Sequence, residues 1–178
     1  MVRMLLVVSV ALSLGACSTI LPPGDPKPAN TSTGPSVRAL LKTADGADRG
    51  TATLTMVDGA MRLSVDAMSF TPGAKGVHIH DVGACDGPDF ASAKGHWNPT
   101  TKQHGRDNPM GAHHGDLPNL LIGTDGRGLM RIDVPGTMAQ LLDADGASVI
   151  IHAQADDYRT DPSGNSGGRI ACGILTAP

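Results

Sequence analysis

The sequence predicts an all-β fold, an antiparallel sandwich or barrel of eight short strands, and three observations carry that expectation. From Val37 onward the β-branched and apolar runs are short and are separated by Gly, Asp and Pro. The composition holds 23 Gly and 13 Pro, and its 17 acidic residues are all Asp with no Glu, a balance that disfavours long helices and favours turns. Thr51, Thr53 and Thr55 alternate with Ala52, Leu54 and Met56, which is the period of two of a half-buried strand.

In chain order the predicted strands are Val37–Lys42, Thr51–Val57, Met61–Met68, Gly76–Val82, Leu120–Ile122, Leu129–Val134, Ser148–His152 and Arg169–Leu175. Thr124-Asp125-Gly126-Arg127 and Asp143-Ala144-Asp145-Gly146 supply turn chemistry between runs. Two connections, Asp81 to Leu117 and Ala153 to Gly168, are too long for hairpins, and loops of that length in a small domain carry function. The 178 residues suit one domain.

A formal charge of −3 without a Lys/Arg run excludes a nucleic-acid reader, so no nucleic acid is expected as a partner. The absence of Glu excludes HExxH zinc proteases and glutamate-ligated metal sites. At the N-terminus, Arg3 precedes the apolar run Met4 to Leu14, too short to span a membrane and laid out as an export signal. The signal ends in Leu14-Gly15-Ala16-Cys17, which resembles the bacterial lipobox. That resemblance implies cleavage after residue 16, a lipidated Cys17 that anchors the protein to a membrane, and a periplasmic location. Ser18 after the cysteine favours the outer membrane over the inner. Residues 17–36, with Pro22, Pro23, Pro26, Pro28 and Pro35, read as a tether, leaving 37–178 as the folded domain. With Cys17 assigned to lipid, Cys85 and Cys172 form an even pair in an oxidising compartment, most simply a disulfide.

All seven histidines fall between positions 78 and 152. His78 and His80 sit two apart on a predicted strand, so both imidazoles face the same side and can clamp a metal. The first long loop adds His96, His104, His113, His114 and Asp116, and the next β run ends at His152. Imidazole-rich ligation with one carboxylate and no thiolate suits zinc and copper, and argues against an iron–sulfur cluster.

These residues stand in segments that resemble the copper/zinc superoxide dismutase family: Gly76-Val77-His78-Ile79-His80, Gly95-His96-Trp97-Asn98-Pro99, His113-His114-Gly115-Asp116-Leu117-Pro118, Ile151-His152 and Gly168-Arg169-Ile170-Ala171-Cys172-Gly173. The resemblance implies a Greek-key fold whose two long loops form the metal site. It implies copper ligands His78, His80, His96 and His152, and zinc ligands His96, His104, His113 and Asp116, with His96 shared. Asp156 would link a copper histidine to a zinc histidine, and Cys85 and Cys172 would be the family disulfide. Arg169 would orient the substrate anion, superoxide, with Lys94 and Arg159 as weaker steering charges, while His114 is left as a solvated or outer side chain. The implied reaction is disproportionation to oxygen and hydrogen peroxide, with His96 passing a proton, in protection of the cell envelope. A metal-binding lipoprotein without turnover is the rival, and it has no need of Arg169. A homodimer and a monomer both remain open.

Overall fold

The computed structural model describes residues 33–176. The signal segment, Cys17 and nearly all of the expected tether lie outside the described residues. Among the described residues nine strands form, β1 (Thr33–Lys42), β2 (Asp48–Val57), β3 (Ala60–Ala67), β4 (Gly73–Lys75), β5 (Val77–His80), β6 (Leu120–Ile122), β7 (Gly128–Val134), β8 (Ser148–His152) and β9 (Arg169–Ile174). One short α-helix, α1 (Met138–Leu141), is opened by a Thr137–Gln140 capping box, and Ala91–Ala93 forms a 3₁₀ turn. Seven strands pair in the order β5-β8-β9-β1-β2-β3-β7, every pairing antiparallel, and β4 pairs with β6 apart from them. Three strands intervene in the chain between the neighbours β3 and β7, the crossover expected of a Greek key.

The alternation in β2 does what its sequence requires. Ala52 and Leu54 are fully buried and lie opposite Val65 and Leu63 of β3, while Thr51, Thr53 and Thr55 stay partly exposed. Leu41 from β1, Ile79 from β5, Leu120 and Ile122 from β6, and Val149 and Ile151 from β8 complete the same core.

The structure corrects three expectations. There are nine strands rather than eight, because Gly73–Lys75 pairs with β6 without any apolar run to announce it. The strand at the HxH motif is shorter than Gly76–Val82. The first strand begins at Thr33, inside the expected tether, because Thr33 finds a partner in Val57 across a bulge that accommodates Pro35.

The Cys85–Cys172 disulfide is formed and spans 87 residues, tying the first long loop to β9. Around it Phe90, Ala93 and Ile150 make a small second apolar cluster. One edge of β5 pairs with β8; along the other runs the long loop, with bridges His80 to His96 and His78 to Asp116. The hydrogen bonds Trp97 N–H to Ile79 O (2.8 Å) and Ile79 N–H to Gly115 O (3.0 Å) fix that apposition. Residues far apart in the chain are thereby brought beside the HxH strand.

Candidate metal centre

His78 and His80 project from one face of β5, His152 closes β8, and His96 arrives on the loop bridged to β5. One ring nitrogen from each lies within 4.8 Å of the others, and all four side chains are buried. The second ring nitrogen of three of them is tied down. His80 Nδ1–H donates to Lys94 O at 3.0 Å, His152 Nδ1–H to Gly167 O at 3.1 Å, and His78 Nε2–H to the Asp156 carboxylate at 2.8 Å. An acceptor on one nitrogen places the lone pair on the other. The remaining atoms, His78 Nδ1, His80 Nε2 and His152 Nε2, are buried without a hydrogen-bond partner. Such orphaned acceptors are costly unless a ligand meets them.

A second group gathers on Asp116. Its Oδ1 lies 2.9 Å from His96 Nδ1, 2.9 Å from His104 Nδ1 and 3.2 Å from His113 Nδ1. Its Oδ2 accepts the backbone N–H groups of Gly105 and His113, both at 2.9 Å. A single carboxylate oxygen has two lone pairs and cannot satisfy three ring donors, whereas a cation among these four groups can. The separations are close to the edges of about 3.3 Å in a tetrahedral zinc site. Residues His78, His96, His104 and Asp116 also gather within 4.8 Å, with His78 standing where the sequence places His113. The reason is a stack: the His78 ring lies 3.9 Å from that of His96 at 26°. His78 Nε2 is already tied to Asp156, while His113 Nδ1 has no hydrogen bond and faces Asp116 Oδ1.

His96 belongs to both groups. Its Nδ1 faces Asp116, so Nε2 is the atom left for the first group. Asp156 joins the two halves from behind, accepting from His78 at 2.8 Å on one oxygen and facing His104 Nε2 at 3.1 Å on the other.

Burial holds the imidazoles of His78 and His152 neutral, down to about 3 and about 4, and lowers His80 and His96 too. At neutral pH their lone pairs are free for a metal. His104 goes the other way: burial lowers it, but the Asp116 and Asp156 carboxylates outweigh burial and raise it to about 9. Burial alone would raise both carboxyls; their histidine partners hold them well below the usual carboxylate range.

Arg169 reaches back over this centre, donating to Phe90 O and Lys94 O, both at 2.6 Å, and burial lowers its pKa. It lines a shallow depression with His96, Asn98 and His113, and a neighbouring one with Lys94 and Asp89. Arg159 sits in the second long loop with its backbone N–H capped by Asp157. His114 joins neither group and packs edge-on to Trp97 at 5.2 Å. Three contributors escape a reading of the sequence: the backbone carbonyls of Lys94 and Gly167, and Asn119, which holds the backbone of Asp156. Only the place of Asn119 directly after Asp116-Leu117-Pro118 hints at it.

Fold and site together define an antiparallel β scaffold carrying two adjacent groups of side chains that could each hold a metal ion, with His78 and His96 common to both. Residues 48–175 match the family model for copper/zinc superoxide dismutase. The chain is 38% identical over 148 residues to "Superoxide dismutase [Cu-Zn]" of Caulobacter vibrioides, covering 79% of this chain and 85% of that protein. It is 50% identical over 125 residues to "Superoxide dismutase-like protein YojM" of Bacillus subtilis, covering 66% of this chain and 64% of that relative. The solved Cu/Zn superoxide dismutase from Brucella abortus aligns with a TM-score of 0.66 at 27% identity, over 79% of this chain and 99% of that one. The chain belongs to the copper/zinc superoxide dismutase family, whose metals are copper and zinc.

Proposed function

We propose that this protein disproportionates superoxide, two anions and two protons giving one oxygen and one hydrogen peroxide, and so protects the cell envelope. The observation that carries the reading is His96, one imidazole shared by two donor groups and opening beside Arg169 on the surface depression. His78, His80, His96 and His152 would hold copper, and His96, His104, His113 and Asp116 would hold zinc. Bound copper supplies a one-electron redox couple that can both accept an electron from superoxide and donate one to it, while zinc supplies fixed positive charge and no redox.

The chain's own residues do the rest. The Arg169 guanidinium, fixed by two carbonyls, presents its charge to an arriving anion and orients it. His96 Nε2 holds a proton and hands it to the peroxide product; its Nδ1, facing Asp116, keeps the ring from turning away. The anchored nitrogens of His80 and His152 keep those rings in place, and Asp156 keeps His78 and His104 in register.

The lipobox supports periplasmic anchoring through Cys17, with the outer membrane favoured. The test is the superoxide decay rate of the protein loaded with copper and zinc, against protein freed of copper by chelation. A copper-dependent rate close to the diffusional ceiling, about 10⁹ per molar per second, is expected. Tight copper binding without turnover would instead make this a metal-binding lipoprotein.

A further inference from the structure

Lys75 belongs to neither donor group, yet it is buried at the end of β4, with Gly76 alone between it and the strand that carries His78 and His80. Its Nζ donates to Ala153 O at 2.8 Å, on the residue that follows His152. Gly76 takes hold on both sides of that contact: its O accepts His152 N–H at 2.8 Å, and its N–H donates to Gln154 O at 2.7 Å. Residues 75 and 76 therefore grip the chain from 152 to 154, where β8 gives way to the second long loop.

Each bond fixes a peptide plane, because the peptide unit is rigid. His152 N–H to Gly76 O fixes the plane that enters the histidine. Ala153 O belongs to the plane one residue beyond, whose other end, Gln154 N–H, donates to Ser166 O at 2.9 Å. The plane between is held by Ala153 N–H to Gly168 O at 2.8 Å, and Gly167 O receives the His152 ring at 3.1 Å. The chain leaving His152 is thus clamped between residues 75–76 and 166–168. Every bond of the clamp that holds the chain itself runs between backbone groups, except the one from Lys75. That one alone is removed by a side-chain substitution.

The other end of the same stretch is His78. Its ring centroid lies 4.8 Å from that of His152, the planes at 67°. One short segment, 75–78, therefore presents one histidine of the first donor group and holds the backbone of another. A lysine tip shut away from water is unfavourable unless an acceptor meets it, and the acceptor here is the carbonyl beside His152.

We propose that Lys75 is a positioning residue for His152: by holding the peptide that follows, it sets the spacing of His152 from His78 and so the shape of the four-histidine group. The proposal rests on reading that group as the copper site, and its test is the geometry of bound copper rather than turnover. Lys75→Met fills much the same space without a donor. In the full protein loaded with Cu(II), it is expected to shift the parallel hyperfine lines of the electron paramagnetic resonance spectrum. It is also expected to weaken copper about 10- to 100-fold in chelator competition, the range for removing a group that orients a metal ligand. Lys75→Arg keeps a donor able to reach the same carbonyl and is expected to retain the wild-type spectrum. Lys75→Gln, one bond shorter with a neutral donor, is expected to fall between, and it serves if the methionine variant does not fold.

A merely structural Lys75 would lower the melting midpoint and leave the copper spectrum and affinity of the folded variants as in wild type. That result overturns the proposal. A wild-type Cu(II) spectrum without coupling to imidazole nitrogen overturns the reading of the four histidines as copper ligands, and so separates the two failures.

Discussion

Replacing Gly164 with alanine strikes the centre from behind. Gly164 is buried with φ +62°, and a Cβ built there lands on Asp156 Oδ1 and 2.7 Å from His104 Nε2. Its backbone is not free to swing away, since Gly164 O accepts from Asp157 N–H at 2.9 Å and Gly164 N–H donates to Thr160 O at 2.6 Å. Two costs add. Left-handed backbone costs a non-glycine residue about 1–2 kcal/mol. Displacing the carboxylate leaves His78 or His104 without its acceptor, about 1–3 kcal/mol for each buried donor so orphaned. If one of the two bonds is lost, the sum is about 2–5 kcal/mol. The part that falls on metal binding is worth about 10-fold in affinity for each 1.4 kcal/mol. Gly164→Ala is therefore expected to lower zinc affinity at least tenfold in a chelator competition, while the protein remains folded by circular dichroism. A folded variant whose zinc affinity stays within about threefold of wild type would refute the steric reasoning.

In chelator-stripped protein, stability is expected to peak near neutral pH. His78 and His152, lowered to about 3 and about 4, bind fewer protons folded than unfolded, so stability is lost as pH falls below about 6.5 toward those values. His104, raised to about 9, contributes stability that is full below about 6.5 and lost as pH rises through 9. Denaturant midpoints measured from pH 4 to 10 check both limbs, and a monotonic profile would contradict them. Cys85→Ser opens the 87-residue closure and is expected to cost about 4–5 kcal/mol in a urea titration, with no added effect of reductant. Arg169→Ala is expected to slow superoxide decay roughly tenfold or more at low salt and to flatten its salt dependence, whereas Arg169→Lys keeps charge without the fork that grips Phe90 O and Lys94 O. Rates measured from 10 to 500 mM salt decide it, and an unchanged salt slope in the alanine variant would remove Arg169 from steering.

Much of the centre was legible in the linear chain because its rules are local or countable. His78 and His80 share a face because a strand has period two, and the structure buries both. The buried Ala52 and Leu54 beside the partly exposed Thr51, Thr53 and Thr55 follow from the same period. Cys85 and Cys172 were the pair left after Cys17, and they bond. Local pattern fails where stability comes from a distant partner. β4 is three residues of Gly-Ala-Lys that become a strand because Leu120, Leu121 and Ile122 lie alongside, and Thr33 joins β1 because Val57 does.

By itself the sequence determined the residue chemistry: an all-β chain without glutamate, histidines gathered in one stretch, an aspartate among them, and one cysteine pair. The tertiary structure alone decided which nitrogen of each ring is tied and which is free, that His78 stacks on His96 while His113 faces Asp116, and that Asn119, Gly164 and the Lys94 carbonyl brace the centre. Apart from His113 and Asp116, three residues apart, those are contacts between separate segments of the chain, set by packing and hydrogen-bond direction, and no pattern of neighbouring residues encodes them.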